Sequence, residues 1–295
     1  MAGSNSAFLA VSNEIVVKAS NQGHEMTVLN PAQPLQGQSA LVIRSDSTVG
    51  AMIAEALAAA GAKVMLNYLD QREQADQVAQ RIRAKQGQAM IFQADVTQET
   101  QVRSMFDVLI GYWGNIDILV TNAGSEQQGP LLEMSLEQWQ QTICNHLTGH
   151  FLCVREAARE FLRRSLTREP STVAGKIICV SVEQRCIDQS DYFHYAAYKS
   201  GMDLMKNSLA QTLYKDNIHF NSLVSNGNLL ATADIDASSS PAAIAHAVVK
   251  LAADQSQTLG GLKLPIDQEL NLFQEFTDFN YQPDVLADQI NPGKL

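Results

Sequence analysis

From Ala40 onward the sequence alternates short β-branched runs with longer helix-periodic stretches: "ALVI", "AMIAEALAAAGA", "KVMLNY", "DQREQADQVAQRIRAKQG" and "QAMIFQAD". A chain written this way buries its apolar residues as a parallel sheet covered by helices on both faces, because each parallel crossover needs a connection of about helix length. The pattern continues through "QVRSMFDVLIGYW", "IDILVTNAG", a helix from about Ser135 to Arg164, "GKIICVSV", a helix opening at Tyr195, "IHFNSLVS", "PAAIAHAVVKLAAD" and "LKLPID". Right-handed crossovers then give an α/β fold, a single Rossmann-like doubly wound parallel sheet of about seven strands. Ligands of such sheets bind at the carboxyl ends of the strands. The residues to read for function are therefore Arg44 to Gly50, Asn67 to Asp70, Asp95 and Val96, Asn122 to Gly124, Ser181 to Glu183, and Ser225 to Asn228.

This pattern occupies residues 38–267 of a 295-residue chain. Ahead of it, in residues 1–37, "EIVVKAS" and "EMTVLN" flank Asn21-Gln22-Gly23-His24, which reads as a β-hairpin extension. "NPAQPLQGQ" follows as a linker, since Pro31 and Pro34 fix φ and remove backbone donors. Behind it, the tail 268–295 carries Leu270, Leu272, Phe273, Phe276, Phe279 and Tyr281, expected to pack on the body or on a neighbouring subunit. A formal charge of -10 disfavours nucleic acid or an anionic membrane as partner. No run reaches the ~18 apolar residues of a spanning helix, and the start lacks a basic leader, so no membrane insertion is expected. Cys144, Cys153, Cys179 and Cys186 form no C-x-x-C pair and have no histidine at ligand spacing, which argues against a metal and fits a reducing cytoplasm.

"HYAAYKSGM" places Tyr195 and Lys199 four residues apart at the start of a helix, on one face. With "GAKVMLNY", "ADVT", "GNIDILVTNAG", "EMSLEQW", "HLTGHFLCVREA" and "LGGLKLPID", it makes residues 38–266 resemble the short-chain dehydrogenase/reductase family, most closely its glucose 1-dehydrogenases and related NADP-preferring reductases. The resemblance implies that Tyr195 exchanges a proton with the substrate oxygen while nicotinamide exchanges a hydride. A free phenol, near pKa ~10, is a weak base at neutral pH, and an ammonium beside it favours the phenolate. Lys199 takes that part, and the resemblance also gives it the nicotinamide ribose. By the same resemblance Asp95 and Val96 match the adenine contact, and Asn122, Ala123 and Gly124 match the turn beside the ribose. Homodimer or homotetramer formation through the helices near 135–165 and 195–214 is implied as well, with Met202, Leu204, Met205, Leu209 and Leu213 as an apolar stripe.

The chain departs from the family at several places. The serine that polarises the substrate oxygen falls at Val182, which donates no hydrogen bond. Ser181 is next to it, but alternation along a strand turns it to the other face unless a bulge re-aims it. The asparagine of the water relay falls at His146, which either replaces the relay or is an ordinary helix histidine. In the phosphate loop, Thr-Gly-x-x-x-Gly-x-Gly becomes Ile43-Arg44-Ser45-Asp46-Ser47-Thr48-Val49-Gly50, so that only Gly50 survives. β-Carbons at Arg44 and Thr48 crowd the pyrophosphate's approach, while the Arg44 guanidinium supplies either a grip or a block. Tyr68 in place of an acid after strand two tilts preference toward NADP. The family's Pro-Gly after strand six is Ser225-Asn226, ahead of a shortened covering segment. Two readings follow. The departures favour a non-catalytic relative that has lost dinucleotide binding and acts through protein interaction or oligomerisation; the alternative is an NADP-dependent carbonyl reductase or alcohol or sugar dehydrogenase using Tyr195 and Lys199.

Overall fold

The structure is a computed structural model that describes residues 33–122, 130–165, 173–182, 193–225, 241–253 and 263–265. The expected hairpin and the C-terminal tail lie outside the described residues. Strands and helices alternate as β1 (Ser39–Val42), α1 (Thr48–Ala59), β2 (Lys63–Tyr68), α2 (Arg72–Ala84), β3 (Gln88–Gln93), α3 (Glu99–Trp113) and β4 (Ile118–Asn122). They continue as α4 (Leu136–Ile143), a π-helical turn (Cys144–Thr148), α5 (Gly149–Ser165), β5 (Gly175–Val182), α6 (Phe193–Tyr214), β6 (Ile218–Ser225), α7 (Pro241–Ala253) and β7 (Lys263–Pro265).

All pairings are parallel, and the sheet runs β3-β2-β1-β4-β5-β6-β7 across seven strands, with its order reversing between β1 and β4. The two faces are both covered, which is why the central strands are buried end to end. Val42, Leu66, Val120 and Ile178 face α1, α2 and α7. Leu41, Met65, Leu119, Ile177 and Phe220 face α3, α5 and α6. At the amino end of the strands, Arg164 on α5 reaches Asp117 at 2.8 Å and also donates to the Ile116 carbonyl. Asp117 in turn accepts from the Ser39 amide at 2.9 Å, so one buried ion pair joins α5 to the starts of β1 and β4.

The segment read as a linker contains a core residue: Leu35 is fully buried, and its amide donates to Ala60 O at 2.9 Å. Of the stripe expected on α6, Met202 and Leu213 are buried, but Leu204 is 72% exposed. The reason is angular, since Leu204 lies ~200° around the helix from Met202. Among the described residues, no helix is long and apolar enough to cross a membrane, and no group of histidine, cysteine and acidic side chains is arranged to hold a metal ion.

Candidate functional site

The carboxyl ends of β1, β2, β4, β5 and β6 open on one side of the sheet, and the turn after β1 is closely hydrogen-bonded. Arg44 has φ 54°, the left-handed region that the glycine of the family pattern would occupy without strain. The turn is held there by Asn67 at the end of β2. Its Oδ1 accepts the Arg44 amide at 3.2 Å, its carbonyl accepts both Ser45 N at 2.9 Å and Ser45 Oγ at 2.8 Å, and its Nδ2 donates to Ala94 O at 3.0 Å. Ser47 closes the turn. Its hydroxyl donates to Arg44 O at 2.9 Å and accepts from the Gly50 amide at 3.1 Å and from Asn122 Nδ2 at 2.8 Å, using its one donor and both lone pairs. Ser47 is thereby the N-cap of α1. Gly50 is required by the same closeness: a β-carbon there would lie 2.3 Å from Arg44 O. The turn therefore keeps a tight form despite the lost glycines, and Arg44 and the amino end of α1 stand at the rim where phosphate oxygens would be received.

The second half of the site lies on the α4–α5 and α6 helices. The π turn carries His146, buried and stacked on Tyr198 with ring centroids 4.1 Å apart and planes 9° from parallel. Burial, then the Arg44 guanidinium and His194, lower the His146 pKa from 6.5 to about 4, so its imidazole is neutral near pH 7. Lys199, on α6, has its Nζ 3.9 Å from Asp203 Oδ1. Arg44 thus bears on the helical half of the site although it sits on the β1 turn.

Other residues singled out from the sequence are placed differently. Asp95 is engaged in its own turn, accepting Thr97 N at 2.9 Å and Thr97 Oγ1 at 2.7 Å. Val96 packs against the start of α5, where a β-carbon on Gly149 would lie 2.9 Å from Val96 Cγ2. Ser181 is buried beneath α6, with its hydroxyl 3.5 Å from Leu223 O and 3.4 Å from Lys206 Nζ. Tyr68 is likewise buried. Ala123 and Gly124 lie outside the described residues, as do the side chains of Tyr195 and Val182. Ser47 and Asn67 fall in the loop segments singled out from the sequence but had no individual role there, and His194 lay outside them; a serine directly before a helix start was the available signal for Ser47.

With this geometry in place, the comparisons are decisive for the family. The short chain dehydrogenase family model matches residues 38–235. The chain belongs to the short chain dehydrogenase family. A 3beta-hydroxysteroid dehydrogenase 1 of Eggerthella lenta is 30% identical over 259 residues, covering 82% of this chain and 97% of that protein. A short chain dehydrogenase from Burkholderia cenocepacia, solved in complex with NADP, superposes with a TM-score of 0.68 at 26% identity, covering 79% of this chain and 98% of that one. A metagenomic short-chain oxidoreductase, also solved in complex with NADP, gives 0.68 at 25% identity, covering 79% and 97%. As a short chain dehydrogenase, this chain combines a tightly hydrogen-bonded β1–α1 turn with an Asp203 carboxylate beside Lys199.

Proposed function

We propose that this short chain dehydrogenase is an NADP(H)-dependent oxidoreductase that interconverts a secondary alcohol and a ketone. The observation that carries the reading is the β1–α1 turn, which holds its tight form around Ser47 and Gly50 and adds the cationic Arg44 at its rim. Arg44 brings a permanent positive charge to this rim in a chain of net charge -10, which favours an anionic ligand there. A bound nicotinamide would supply or accept the hydride. Arg44 and the first turn of α1 would hold its phosphates, and Asn122 fixes that turn from β4 through Ser47. Tyr195 would carry the proton of the substrate oxygen, and Lys199 would favour the phenolate electrostatically. Val182, at the serine position, leaves one polarising donor fewer, a loss of the order of 10²–10³ in rate relative to a serine-bearing site. The name of the related 3beta-hydroxysteroid dehydrogenase 1 supports an alicyclic alcohol as the first substrate class to test.

The experiment titrates NADPH and NADH into purified protein and follows nucleotide fluorescence and thermal midpoint. NADPH at a hundred times its Kd is expected to stabilise the fold by about 2.7 kcal/mol through mass action. Tyr195→Phe is then expected to abolish turnover of alicyclic ketones while leaving NADPH binding in place; unchanged turnover would reject Tyr195 as the proton carrier. The second reading, a non-catalytic relative acting through protein contacts, has less support than the oxidoreductase reading and rests on Val182 at the serine position with Ser181 buried beneath α6. It prevails if neither nucleotide binds.

A further inference from the structure

Beneath α5 and α6 a polar row crosses the middle of the sheet. Thr121, Cys179 and Ser222 are register partners on β4, β5 and β6, and all three face the α5–α6 layer. His150 on α5 closes the row from above, with Nδ1 4.0 Å from Cys179 Sγ, and Lys206 on α6 is buried beside Ser181, two residues along β5 on the same face. Such a set is unusual in a dry core, where polar side chains are normally paired. Thr121 Oγ1, Ser222 Oγ and His150 Nε2 are buried without a conventional hydrogen-bond partner. A charge on the sulfur would give these groups something to solvate.

We propose that Cys179 is a positioning residue for the Tyr195–Lys199 pair: as a buried anion it balances Lys206, and Lys206 divides the Asp203 carboxylate with Lys199. The distances support that division. Asp203 Oδ1 lies 3.8 Å from Lys206 Nζ and 3.9 Å from Lys199 Nζ, so one carboxylate serves two ammonium groups two helical turns apart. Burial alone would raise the Cys179 thiol, but the Lys206 charge, His150 and the Thr121 hydroxyl outweigh it and bring it down to about 6. Cys153 provides the contrast. It is buried beside Glu156, and burial followed by that carboxylate pushes its thiol up to about 12. The groups facing Cys179 are accordingly His150 from α5, Lys206 with Asp203 behind it from α6, and the uncharged hydroxyls of Thr121 and Ser222 from the flanking strands.

This inference rests on the function proposed above, and its test separates the two. The absorbance of the full chain at 240 nm is followed from pH 4.5 to 8, in the parent protein and in Cys179→Ser. Their difference is expected to show one thiolate with a midpoint near pH 6; Lys206→Met should move that midpoint upward. In turnover of an alicyclic ketone or alcohol, Cys179→Ser removes the negative charge that faces Lys206 and should shift the acidic limb of the pH profile to lower pH by about half a unit. Lys206→Met should shift it upward by a similar amount, and the double variant should return close to the parent. No thiolate in the difference spectrum overturns the inference. So does a limb that stays put in both single variants while turnover persists, a result that leaves the proposed function standing. A parent protein that binds no nucleotide and turns nothing over removes both.

Discussion

The proposed phosphate contact turns on Arg44, because one residue combines a left-handed backbone with a full positive charge. Arg44→Gly separates the two properties, keeping the turn and removing the cation. The NADPH dissociation constant is expected to rise about tenfold, the loss of one charge-assisted contact of ~1.5 kcal/mol. A tighter constant, measured by fluorescence titration, would mean that the guanidinium obstructs the nucleotide. His146 offers a second test at this scale. Its folded-state pKa of about 4 is below the unfolded 6.5, so the unfolded chain takes up more protons between those values. Its contribution to stability is therefore complete above pH 6.5 and is lost as the pH falls toward 4. Between pH 7 and pH 5 the loss should be about 2 kcal/mol in urea unfolding, and His146→Gln should flatten that part of the profile.

At the scale of elements, the amino end of the sheet depends on the pair that ties α5 to β1 and β4. Arg164 and Asp117 are 8% exposed each, so removing the cation alone leaves a carboxylate in the core. Arg164→Met should cost about 3 kcal/mol by urea denaturation. Adding Asp117→Asn should recover at least half of that, because the amide oxygen still accepts from the Ser39 amide while the uncompensated charge is gone. Nothing at the opposite rim should change, and nucleotide affinity in the double variant is the control. The α4–α5 helix illustrates a different dependence. Ser135 and Gln138 form a capping box that fixes where it starts, yet no residue of α4 is buried, and its course is set by the π turn and α6.

Over the whole molecule, what could be read in the sequence was what repeats. The centres of strands such as Ser39–Val42 and Ile118–Asn122 are covered on both faces, so Ala40–Val42 and Ile118–Val120 read as unbroken apolar runs, and the helices between them supply the alternation that specifies a parallel sheet. The direction of Ser181 was also legible, because a strand turns successive side chains to opposite faces, and the structure places it under α6. Single-position geometry was not. No residue type announces the left-handed Arg44, since glycine is the only common signal for that backbone and it is absent. Leu35 was concealed among prolines and glutamines, and Lys206 within an apolar helix, because burial of one residue against a distant partner leaves no periodic trace. The Cys179 row could not be seen at all before the register of β4, β5 and β6 was known.

The π turn at Cys144–Thr148 inserts one residue beyond regular helical spacing, which rotates everything after it by ~100° relative to α4. The long helix is thus geared in two phases. Its first half can follow the solvent-facing rim while the turn itself sets His146 against Tyr198 and the second half keeps His150 over the core, and deleting a single letter there would throw those teeth out of mesh without touching either histidine.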